Sequence, residues 1–199
     1  MAQRLILASG SEIRAQLLRQ SAVDFEVCVA RVDEDMVRET MLHEGAPPRD
    51  VADMLAEMKA RKVSEKNAGA LVLGCDQVLE HRGAILSKPV SPEDALGQLK
   101  ALRGDRHTLL SAAVICENGK PIWRNVGVVR LRMHDASDSY LDDYVARNWD
   151  SIRHSVGAYK LEEEGVRLFS RVDGDYFTVL GLPLLEVLSY LALRGDLPR

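Results

Sequence analysis

Arg4-Leu5-Ile6-Leu7-Ala8-Ser9-Gly10-Ser11-Glu12-Ile13-Arg14 passes from an apolar run, through a turn of small hydroxyl residues, into a helical pattern that carries an arginine. Leu5, Ile6 and Leu7 predict a strand buried on both faces, and Ile13, Leu17 and Leu18 give the next segment an apolar helical face. Ser11 stands where such a helix is capped. A helix opening there leaves its first backbone N–H groups unpaired and adds the positive end of its dipole. Ser9, Ser11 and the Arg14 guanidinium therefore make a candidate phosphate site. Strand, serine turn and helix are also plain α/β architecture, so the segment speaks to fold class before function.

The alternation continues outward. A strand at Phe25–Val29 leads to a loop holding Val32-Asp33-Glu34, and a long helix follows over Asp50–Lys66, with Val51, Met54, Leu55 and Met58 at helical spacing. Leu71–Leu73 reads as a buried strand ending in Gly74-Cys75-Asp76-Gln77, and Gly83 turns it into Ala84–Leu86. Ser91-Pro92-Glu93-Asp94 opens a helix that Gly104 closes. Asn118-Gly119 predicts a hairpin between strands at His107–Cys116 and Ile122–Met133. A helix over Asp138–Asn148, a strand at Val166–Arg171, a turn at Asp173-Gly174 and a helix entered through Pro183 complete the pattern. The expected fold is α/β, a mixed central sheet flanked by helices. It forms one domain over residues 1–199, whose two lobes are subdivisions with a cleft between them.

The 199 residues are enough to bury a core without disulfides, and Cys28, Cys75 and Cys116, odd in number and set in apolar runs, read as buried thiols of a reducing compartment. With 26 basic and 30 acidic side chains the formal charge is −4, which argues against coating a nucleic-acid polymer or a membrane surface. No signal core and no stretch of transmembrane length is present, so a cytoplasmic location is expected.

Asp76 follows a buried strand, where α/β folds place their ligands, although an aspartate there also caps turns. Asp33 and Glu34 offer a second carboxylate or a solvated acidic loop. Magnesium suits one or two carboxylates joined by substrate phosphates. Lys88, stiffened by Pro89, is placed to be aimed. Lys59 is a second cation on a helix whose Lys62 and Lys66 form an ordinary basic face, and Lys160 sits in a charged loop. His43, His81, His107, His134 and His154 lack metal-ligand spacing, and nucleophile-elbow, P-loop and dinucleotide motifs are missing. Cations for phosphates and carboxylates for a divalent metal suit phosphoanhydride hydrolysis by activated water.

Nearly end to end, the chain resembles the Maf family of nucleoside triphosphate pyrophosphatases, whose fold is of the inosine triphosphatase type. The resemblance rests on Leu7-Ala8-Ser9-Gly10-Ser11 with Arg14, Val32-Asp33-Glu34, Met58-Lys59-Ala60, Gly74-Cys75-Asp76-Gln77-Val78, Ser87-Lys88-Pro89, and Gly174-Asp175-Tyr176 with Val179-Leu180-Gly181-Leu182-Pro183-Leu184, in that order. It implies hydrolysis between the α and β phosphates to a monophosphate and pyrophosphate. It also implies a divalent metal such as Mg2+ or Mn2+, a homodimer and a housecleaning role. By position, Asp76 would be the proton acceptor and a metal ligand, Glu34 a metal ligand, and Ser9, Ser11, Arg14, Lys59 and Lys88 the phosphate set.

Departures from the family pattern fall where base choice is made: Ile13 replaces an arginine, Gln77 a threonine and Glu162 a glutamine. Gln77 and Glu162 resemble the branch acting on 7-methyl-GTP, whose cationic ring a carboxylate could pair with, although Glu163 and Glu164 stand where glycine is usual. Hydrolysis of deaminated purine triphosphates is a second possibility. From another class comes a regulatory nucleotide-binding protein acting on cell division through protein partners.

Overall fold

The computed structural model describes residues 3–198. The buried strand β1 (Leu5–Leu7) pairs in parallel with β2 (Glu26–Val27) and β3 (Leu71–His81). Helix α1 (Glu12–Gln20) links the first two strands; α2 (Glu34–His43) and α3 (Pro48–Ser64) precede the third. Antiparallel β4 (Ala84–Leu86) returns along β3, and α4 (Pro92–Leu102) follows, its first turn capped by the Ser91 hydroxyl. The hairpin of β5 (Arg106–Glu117) and β6 (Lys120–Met133) turns at Asn118 and Gly119, where φ is +50° and +75°. A type I′ turn requires both signs, and Asn-Gly tolerates them best. Then come α5 (Asp138–Ile152), β7 (Phe169–Asp173) antiparallel to β6, α6 (Tyr176–Val179) and α7 (Leu184–Arg194). The seven-stranded sheet has the order β2-β1-β3-β5-β6-β7, with β4 paired to β3, so it is mixed as expected.

The chain forms two compact units. One holds the chain up to Gln77, Ser111–Gly127 and everything from Tyr176 on; the other holds Val78–Leu110 and Val128–Asp175. In the first, Leu5, Leu7, Leu17, Leu18, Leu71, Leu73, Cys75, Ile115, Val187 and Leu191 form one apolar cluster. Burying each large aliphatic side chain there contributes about 1.5–3 kcal/mol. Because strand side chains alternate, the opposite face of β3 carries Val72, Gly74 and Asp76. In the second unit α4 packs on α5. There His107 is buried with its Nε2 2.8 Å from the Tyr159 hydroxyl, beside the rings of Tyr159 and Phe169. Burial pushes the His107 imidazole down to about 4. Among the described residues, no helix is long and apolar enough to cross a membrane.

Several boundaries differ from the sequence reading, each for a local reason. The expected loop at Val32-Asp33-Glu34 opens α2, which Asp33 caps and none of whose residues is buried. Strand β3 does not end before Asp76; it runs on to His81 because the flanking positions stay buried. A 3-10 turn over Glu164–Leu168 delays β7 to Phe169. Ser11 occupies the N-cap position of α1, yet its side chain makes no capping bond. Cys28 lies just past the two-residue edge strand and is exposed, whereas Cys75 and Cys116 are buried.

Candidate active site

Helix α3 approaches β3 where Ala56 and Ala60 face Gly74, and the missing side chain lets the two backbones close up. The next residue on that strand face is Asp76, and Lys59, beside Ala60, reaches it. Lys59 Nζ donates to Asp76 Oδ1 at 2.7 Å and lies 2.9 Å from Glu34 Oε1. Asp76 is 5% exposed and Lys59 8%. Of the acids at the start of α2, Asp33 serves the helix: its Oδ1 accepts from the Met36 N–H at 3.1 Å. That leaves Glu34, in the first turn, for Lys59. The structure thus gathers Glu34, Lys59 and Asp76 from α2, α3 and β3 into one charged cluster.

Asp76 Oδ2 is buried and accepts no hydrogen bond among the described residues. Burial raises the Asp76 carboxyl above the usual carboxylate range, with the Lys59 ammonium and, more weakly, Arg14 opposing it. A buried carboxylate oxygen without a partner is costly, so this atom is a ready acceptor for a water proton or a cation.

Arg14 is placed differently from the free phosphate fork expected of it. Its Nε donates to the Gly181 carbonyl at 2.7 Å, and its Nη1 donates to the Cys75 carbonyl at 3.1 Å and to Ser9 Oγ at 3.2 Å. Ser9 Oγ also accepts from the Ser11 N–H at 3.2 Å. The planar, half-buried guanidinium fastens the serine turn, the strand residue before Asp76 and the loop at Gly181. Only glycine suits that loop position: φ is +92°, and a Cβ would meet the guanidinium at 3.1 Å. The opening of α1 keeps no side-chain cap.

On the other face of β3, Gln77 is locked. Its amide nitrogen donates to Ser111 Oγ and the Val179 carbonyl, both at 2.9 Å, and to the Thr178 carbonyl at 3.2 Å, while the Ser111 hydroxyl donates to Thr178 O at 2.7 Å. Toward a ligand, Gln77 is left with its carbonyl oxygen, an acceptor. Gly181 and the ends of α6 stand in the C-terminal motif without a role readable from sequence, and Ser111 goes unnoticed because a lone hydroxyl in an apolar strand carries no pattern. Ile13 is partly buried against the apolar cluster.

In the second unit Lys88 is exposed in the loop after β4, with Pro89 buried beside it. The acidic run separates into different tasks. Glu163 accepts from Ser151 and Lys160, and Glu164 from Arg147 and Asn148. Glu162 is exposed and makes no hydrogen bond or ion pair among the described residues.

The family model for Maf-like proteins matches residues 4–193. The chain belongs to the Maf-like family. This Maf-like chain is 76% identical over 199 residues, all of both chains, to a protein of Roseobacter denitrificans named nucleoside triphosphate pyrophosphatase. It is 70% identical over 191 residues to a protein of the same name from Ruegeria pomeroyi, with 96% of each chain covered. At 44% identity over 191 residues, again 96% of each chain, it is similar to a Brucella abortus protein named 7-methyl-GTP pyrophosphatase. The solved structure of a HAM1 protein from Coxiella burnetii overlaps 67% of this chain and 74% of its own, at 16% identity and a TM-score of 0.43.

Among the described residues, no group of three or more His, Cys, Asp or Glu side chains forms a complete metal cage. Glu34 and the orphaned Oδ2 of Asp76 nevertheless fit a hard divalent ion, which is held by one or two carboxylates and completed by waters and phosphate oxygens.

Proposed function

We propose that this Maf-like chain hydrolyses a nucleoside triphosphate at the α–β phosphoanhydride, releasing a monophosphate and pyrophosphate. One observation carries the reading: a buried carboxylate, Asp76, is clamped through one oxygen by Lys59 and keeps the other oxygen free. Asp76 Oδ2 accepts a proton from the attacking water, and the raised affinity of this carboxyl for protons favours that step. Glu34 and Asp76 would hold a divalent ion, which supplies charge neutralisation on the phosphates when bound. Ser9, the uncapped start of α1 and Lys59 supply phosphate donors, and Lys88 is a further cation for the triphosphate. Arg14 holds the serine turn in place for them.

The base is a cationic purine, with 7-methyl-GTP favoured. Glu162 is the unpaired acid of its run among the described residues, and Gln77 offers a fixed acceptor suited to the exocyclic amino group of a guanine, which thymine and uracil lack. Removal of a modified nucleotide from the pool is the corresponding housecleaning role. A homodimer in the cytoplasm completes the proposal, and sedimentation of the purified protein measures its mass.

The deciding experiment incubates purified protein with Mg2+ or Mn2+ and inosine, 7-methylguanosine, uridine and thymidine triphosphates. Monophosphate plus pyrophosphate is the expected product pair. Orthophosphate as the sole inorganic product rejects the reaction type, and a deaminated purine turned over fastest replaces the proposed base.

A further inference from the structure

We propose that Lys59 is the resident counter-cation of the Glu34–Asp76 pair, and that a divalent ion loads by displacing its ammonium from these carboxylates. The inference rests on the metal reading above and adds a competition within it. Lys59 Nζ stands 2.9 Å from Glu34 and 2.7 Å from Asp76, so it occupies the charge-compensating place between the two acids proposed as ligands. Two carboxylates this close repel each other when no cation lies between them, and burial of Asp76 deepens the penalty. The ammonium relieves it. Once a doubly charged ion is held by the same acids, an ammonium on the other oxygen of Asp76 is repelled by it in a poorly solvated site. The lysine stem is flexible, and an ammonium has no preferred fork to hold it to one partner. Released from Asp76, it becomes a donor for phosphate oxygens, so one side chain stabilises the empty site and then the charged substrate.

Displacement makes apparent metal affinity weaker than the intrinsic affinity, by the fraction of molecules in which the lysine has left. The experiment titrates Mn2+ into nucleotide-free protein, following free Mn2+ by its paramagnetic resonance signal, in the wild type, Lys59→Met and Asp76→Asn. Lys59→Met is expected to bind Mn2+ about tenfold more tightly or better, and Asp76→Asn to lose binding. Because Lys59→Met leaves buried acids uncompensated and can unfold, a second measurement uses the wild type alone. The side-chain 15N resonance of Lys59, visible because its ammonium is buried and paired, is followed during Mg2+ titration and is expected to shift or vanish on saturation. Mn2+ binding by the wild type, with an unchanged Lys59 resonance and no gain in the variant, overturns the displacement while leaving the metal reading intact. Failure of the wild type and of folded Lys59→Met to bind Mn2+ overturns both.

Discussion

Gly74 sits so close to α3 that a Cβ added to it would stand 2.2 Å from the Ala56 carbonyl oxygen and 2.6 Å from the Ala60 amide nitrogen. This approach sets Lys59 against Asp76, since each lies one or two residues from the contact. Gly74→Ala should therefore lower stability by about 1–3 kcal/mol or more, because backbone rather than a flexible side chain must move. Urea unfolding measures the loss. Hydrolysis should fall further than the folded fraction alone accounts for, and a variant with wild-type stability and activity would contradict the packing described.

Asp76→Asn keeps the size of the side chain but removes the proton acceptor and, with it, a carboxylate of the proposed metal pair. The expected result is a drop in kcat of about 10²–10⁴-fold, larger than any change in KM, measured by pyrophosphate release at several metal concentrations. Full activity in this variant would remove Asp76 from the chemistry.

Arg14→Lys separates fastening from charge. A lysine keeps the positive charge, but a single ammonium cannot span the carbonyls of Gly181 and Cys75 together with Ser9 Oγ. Loss of these bonds should cost about 1–3 kcal/mol in unfolding free energy and lower kcat/KM. If charge alone mattered, both quantities would stay at wild-type values.

His107 gives the fold an acid limit. In the folded protein it titrates near 4, against about 6.5 in the unfolded chain, so the unfolded state takes up the proton first. The stability contributed by neutral His107 is fully present above about pH 6.5 and is lost as pH falls toward 4, by about 3 kcal/mol at most. Unfolding free energies between pH 7 and pH 4 should fall less steeply in His107→Gln than in the wild type. Equal slopes would show that another group sets this limit.

Glu162→Gln tests base selection apart from catalysis. If the exposed carboxylate pairs with a cationic ring, kcat/KM for 7-methyl-GTP should fall about tenfold or more while other purine triphosphates change little. A uniform loss on every substrate would instead mark a general effect on the site.

What could be read from the residues follows the strength of their patterning. The β1–α1 opening, the Asn118-Gly119 hairpin and the helix at Ser91-Pro92 were legible because apolar period, positive-φ chemistry and capping chemistry agree there. Helix α2 is not, since none of its residues is buried and the acids at its start read as a solvated loop. Within the site, ordered motifs located Glu34, Lys59 and Asp76, but no sequence pattern could say that Lys59 joins the two acids. A guanidinium beside a serine turn reads as a phosphate ligand; that Arg14 also fastens three segments of the fold cannot be read from it. Its acceptors include a carbonyl 167 residues away, which no local pattern can supply.

That same bond has a consequence for biosynthesis. A ribosome that has delivered Glu34, Lys59 and Asp76 has still not delivered Gly181, so the nascent amino-terminal turn lacks the carbonyl that orients Arg14 until that residue is translated. A product terminated before Gly181 carries the acids and the lysine without the contact that fastens Arg14.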